Sequence, residues 1–110
     1  MLHTDMNSEL VIGIRAENID TVAELLKGRV GDSYERRESS YLGEYNLFRA
    51  PESVMVKYNY VPPEKEWDEP NHKEYKVLLV VGKTDRPEYF QQLAKSLKPE
   101  SLVIRCRDFS

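Results

Sequence analysis

The run Val77-Leu78-Leu79-Val80-Val81 constrains this chain more than any other stretch. It is too short for a membrane span and rich in β-branched residues, so it predicts a strand buried on both faces. Such a strand has to be central in its sheet, and the rest of the chain must then cover it on two sides. Gly82 releases the chain after the run, and Asp85, Arg86, Pro87 and Glu88 open a helix.

The neighbouring segments supply the cover. Glu9 to Arg15 is a second, nearly apolar strand, and Gly13 inside it marks a close approach or a bulge. Asn18 is placed to cap a helix from Ile19 to Lys27, with Gly28 as its stop. Tyr34 to Arg49 is a long polar-aromatic stretch whose second half, from Tyr41, alternates as a strand does. Ala50 to Ser53 is a turn, and Val54 to Val61 is the partner strand of a β-hairpin. Pro62, Pro63 and Pro70 break the segment Pro62 to Glu74, which is expected as an exposed loop with at most a turn of helix. A second helix follows from Pro87 to Leu97, with Asp85 and Glu88 set as a capping box, and Leu102 to Arg107 is the last strand.

The expected order is β-α-β-β-β-α-β. Strand–helix–strand units at both ends favour right-handed crossovers with locally parallel pairing, and the middle hairpin is antiparallel. This α+β pattern resembles a ferredoxin-like plan, as a variant with a five-stranded mixed sheet and two helices. Residues 1–8 are expected as a flexible tail before a single domain spanning 9–110. Two helices cover one face of such a sheet, yet three strands are apolar on both faces. Either the helices split between the faces, the hairpin curls over, or a partner covers the second face.

Composition narrows the function classes. The chain has 110 residues, a net charge of −3 and no Lys/Arg cluster, which argues against nucleic acid as the main partner. No apolar window approaches the ~18 residues of a membrane span, and residues 1–8 hold no signal-peptide core, so a cytoplasmic protein is expected. The single cysteine, Cys106, excludes an internal disulfide, and its neighbours Val103, Ile104 and Arg105 suggest a buried, inert thiol. Gly82-Lys83-Thr84 has the tail of a phosphate-binding loop, but the pattern needs glycine at position 77, which is Val77. His3 and His72 fit no metal spacing, and neither joins Cys106 in a nucleophilic set. No catalytic residue, metal or cofactor is expected, and the chain is not expected to be an enzyme.

Two features point to binding. Seven tyrosines are present, and Tyr34, Tyr41, Tyr45, Tyr58 and Tyr60 lie on or near the hairpin. The segment Pro62 to Glu74 carries five acidic and two basic residues, a net of −3 equal to that of the whole chain, and surrounds Trp67, the only tryptophan. Acidic side chains accelerate association with a basic partner, and tryptophan and tyrosine carry contact energy. The candidate partner-binding face is therefore Tyr58, Tyr60, Glu64, Glu66, Trp67, Asp68 and Glu69. In size, charge and α+β pattern the chain resembles the immunity proteins that neutralise bacterial toxins passed between competing cells. That resemblance implies a protein partner, a basic toxin domain, whose active site is blocked by acidic groups. The alternative is a ferredoxin-like regulatory domain binding a small molecule and acting as a dimer through the apolar sheet face. Monomer and homodimer both remain open at this point.

Overall fold

The computed structural model describes residues 8–49, 52–61, 66–97 and 100–108. The elements are β1 (Ser8–Ile14), α1 (Ile19–Leu26), β2 (Tyr34–Ser39), β3 (Gly43–Arg49), β4 (Ser53–Tyr58), β5 (Tyr60–Val61), β6 (Glu66–Trp67), a 3₁₀ turn (Pro70–His72), β7 (Val77–Thr84), α2 (Pro87–Ser96) and β8 (Ser101–Asp108). Six strands form one sheet in the order β2-β3-β4-β7-β1-β8, and β5 and β6 form a separate small ladder. Every neighbouring pair in the large sheet is antiparallel.

This corrects the expected five-stranded, mixed, ferredoxin-like β-α-β-β-β-α-β arrangement. The fold is a β-rich α+β fold with six antiparallel strands and two helices. Two physical reasons account for the difference. Strands β7 and β8 do run parallel to each other, but β1 lies between them, so their crossover makes no parallel pair. The sixth strand, β2, reads Tyr-Glu-Arg-Arg-Glu-Ser and has no apolar alternation, because it is an edge strand whose four middle residues are exposed. It is held by its ladder with β3 and by side-chain bonds from Arg36 to Asp20 and Glu44.

The run Val77–Val81 is central, paired with β4 on one side and β1 on the other. Both helices pack on the same face of the sheet. Ile19, Val22 and Leu26 of α1 and Phe90, Leu93 and Ala94 of α2 share one core with Ile12, Phe48, Val56, Leu79 and their neighbours. Burial of each large aliphatic side chain there contributes about 1.5–3 kcal/mol. Asn18 caps α1 as expected, its side chain accepting from the amides of Asp20 and Thr21. The capping box at α2 does not form. Arg86 takes the cap position and has no side-chain cap, its guanidinium bonding to the buried Glu52 while its amide donates to Thr84 Oγ1. Asp85 lies before the cap position and is exposed.

The second face carries a cross-strand row of Leu47, Met55, Val80 and Val11. Neither helix reaches it; part of the loop does. Asn59, fully buried, gathers the loop around one amide. Its Nδ2 donates to the carbonyls of Glu69, His72 and Tyr75, and its Oδ1 accepts from the Glu69 amide. Residues 66–75 thereby fold back toward the sheet, with Tyr75 buried against Gly13. Glu66, Asp68, Pro70, Asn71, Lys73 and Glu74 are exposed, in line with the expected exposed loop with at most a turn of helix; Glu69 is buried, and the segment also forms a partial roof. Cys106 is exposed, not buried, because β8 is an edge strand. No helix is long and apolar enough to cross a membrane.

Candidate partner-binding cleft

The small ladder brings Tyr60 and Trp67 opposite each other, with ring centroids 5.2 Å apart in an edge-to-face pair. Tyr58, two residues earlier, is half-buried and packs against the core. Asn59 between them ties this corner to the start of β7, its amide donating to the Lys76 carbonyl at 2.9 Å. Tyr58, Tyr60 and Trp67 therefore share one wall of a cleft of about 460 Å³, completed by Glu17 and Lys76. Lys76 Nζ lies 3.1 Å from Glu17 Oε1, and both side chains are largely exposed. Lys73 Nζ sits 5.5 Å from the centre of the Trp67 ring.

On the other side of the two tyrosines lies a second hollow of about 340 Å³. Glu38, Ser39, Ser40, Leu42, Gly43 and Glu44 line it together with Tyr58 and Tyr60. Arg36 holds the Glu44 carboxylate from outside the hollow.

The acidic residues expected in the binding face divide into three groups. Glu66 is exposed next to Trp67. Asp68 and Glu69 turn toward the sheet. Asp68 forms an ion pair with Lys57, whose side chain is only 3% exposed. Glu69 is gripped by both guanidinium nitrogens of Arg105, at 2.6 and 3.2 Å. Together these two pairs latch the 66–75 segment over the second face, around a groove of about 290 Å³ floored by Val11, Met55, Leu78 and Val80. Glu64 lies outside the described residues.

The other tyrosines scatter. Tyr75 is buried, Tyr34 bonds to Glu24, and Tyr41 stands 88% exposed in the β2–β3 turn. Glu17 and Lys76 belong to the cleft, and no pattern in the sequence links residue 17 to residues 58–76. Among the described residues, no three His, Cys, Asp or Glu side chains are grouped as a metal site. Comparison of the chain with protein-family models, curated proteins and solved structures gave no match.

Proposed function

We propose that this chain is a protein-binding module whose contact is the Tyr58–Tyr60–Trp67 cleft, acting to neutralise a toxin domain by occluding it. One observation carries the reading: three aromatic side chains, from two separate strand pairings, converge at the surface around a largely apolar cleft. Half-buried aromatics of this kind present a large contact area at low ordering cost, which is the composition of an interface anchor. A cytoplasmic setting suits this role and accords with a single, unpaired cysteine. The role of the acidic loop is revised. Asp68 and Glu69 are committed to Lys57 and Arg105, so the affinity falls to the aromatics, and among the described acids of this face Glu66 is the one left without an ion pair. The dimeric small-molecule domain loses support, because the free apolar face it required is partly roofed by residues 66–75.

The test is capture followed by rescue. Tagged protein is used to recover partners from its native source, and each recovered gene is expressed in a naive host with and without this chain. A partner that is toxic alone and harmless with the wild-type chain supports the reading. Trp67→Ala and Tyr60→Ala should abolish both capture and rescue while retaining the wild-type urea midpoint. Capture and rescue that survive both substitutions would place the contact elsewhere and defeat the proposal.

A further inference from the structure

The proposed contact at the aromatic cleft leaves open what enters it, and the inference here rests on that contact. We infer that the cleft accepts an arginine or lysine side chain from a basic segment of the partner, and that Lys76 holds the cleft's carboxylate, Glu17, in its place in the free chain. Aromatic faces attract cations, most strongly when both are withdrawn from water. The chain already satisfies that attraction internally, with Lys73 over Trp67 and Lys76 on Glu17. The Lys76–Glu17 pair is weak, since its side chains are 54% and 80% exposed, and exposed pairs contribute little. An incoming guanidinium meets the same aromatic rings and the same carboxylate inside an interface, where water is excluded and each contact is stronger.

Charge around the tyrosines agrees. The two hollows flanking Tyr58 and Tyr60 are lined by the carboxylates of Glu17, Glu38 and Glu44 and by one ammonium, Lys76; Arg36 already holds Glu44 and Lys76 holds Glu17, which leaves Glu38 as the lining carboxylate with no ion pair among the described residues. A basic segment crossing the tyrosines finds acid on both sides. An acidic segment would face the unpaired Glu38, with no cation lining that hollow.

Trp67 is the only tryptophan, so its emission reports on the cleft directly. The full chain is titrated with short end-capped oligo-arginine, oligo-glutamate and oligo-serine peptides. Oligo-arginine alone should give a saturable change in emission, weakening as salt rises. Lys76→Ala should tighten it by about twofold to fivefold, because it removes the cation that competes for Glu17. Glu17→Gln should weaken it, and Tyr60→Ala should weaken it by about threefold or more. Tighter binding of oligo-glutamate, or weakening by Lys76→Ala, would identify an anion site and overturn the inference. So would undiminished oligo-arginine binding by Tyr60→Ala, which would be attraction to surface acid alone, or no saturable change with any peptide. A captured partner that needs Trp67 but brings no basic residue to it would overturn this inference while leaving the binding module intact.

Discussion

Gly13 and Tyr75 touch so closely that no side chain fits between them. A Cβ on Gly13 would stand 2.8 Å from both Cβ and Cγ of Tyr75 and 3.0 Å from Ile104 Cδ1. Tyr75 is buried, so it has nowhere to retreat. Gly13→Ala should therefore destabilise the fold by about 1–3 kcal/mol through overpacking, offset in part by up to about 1 kcal/mol of reduced backbone entropy. Urea unfolding measures it. In a Tyr75→Gly background, which removes both Cβ and the ring, the same substitution should cost less than it does alone, and equal costs in the two backgrounds would mean the contact is absent.

Leu79 is fully buried in the middle of β7. Leu79→Ala should cost about 2–5 kcal/mol, the range for cavity formation in a core. A shift in urea midpoint with unchanged slope is expected. A loss below about 1 kcal/mol would show that β7 is not the centre of the sheet.

Lys57 donates to the Tyr58 carbonyl at 2.7 Å and to Asp68. Asp68→Ala leaves a buried ammonium with one partner fewer and should cost about 1–3 kcal/mol. Lys57→Met keeps the volume and removes the charge, so it should cost less. In the Lys57→Met background, Asp68→Ala should have almost no further effect. If Asp68→Ala is equally costly in both backgrounds, the pair does not latch the segment.

Glu52 sets an acid limb of stability. The Arg86 guanidinium, with help from the Thr84 hydroxyl, holds its carboxyl below the ordinary value of 4.5, against the opposing effect of burial. The unfolded chain then binds this proton more readily than the folded one. The stabilisation is complete above the unfolded value and is lost as pH falls through the folded one. Asp20, held down first by Asn46 and then by Arg36, acts with the same sign. Urea midpoints should fall between roughly pH 5 and pH 3, and Glu52→Gln should flatten that decline while lowering stability at neutral pH. An unchanged slope in Glu52→Gln would remove Glu52 from the account.

The sequence disclosed what depends on local apolar pattern and capping. The central run at 77–81, the Asn18 cap and the β3–β4 hairpin all follow from residues near one another in the chain. What it concealed depends on long-range choice. Sheet order was decided by β1 inserting between β7 and β8, and no residue in β1 announces its neighbours. Strand β2 was hidden because an edge strand with exposed charges has no apolar period to detect. Cys106 misled for the same reason, since Val103 and Ile104 suggest burial and only the position at the edge exposes it. In the candidate site, aromatic content marked Tyr58, Tyr60 and Trp67 correctly as neighbours. Charge counting did not disclose the ion pairs of Asp68 with Lys57 and Glu69 with Arg105, because a tally of acids does not show which already have an internal cation.

The position of β1 between β7 and β8 also governs the timing of synthesis. Residues 8–14 leave the ribosome well before residues 77–108, which contain both of their sheet neighbours. The meander of β2, β3 and β4 pairs locally and forms on the microsecond scale of hairpins. Strand β1 cannot, and closing its distant contacts is the slow step of a fold dominated by non-local pairing. Until then Leu10, Ile12 and Ile14, all fully buried in the finished sheet, have no cover. Ribosomes stalled before residue 77 would hold a product with its most apolar N-terminal strand open to edge pairing and to chaperones. Synthesis runs ahead of sheet closure for most of this chain, and the stability of the finished fold does not report what happens in that interval.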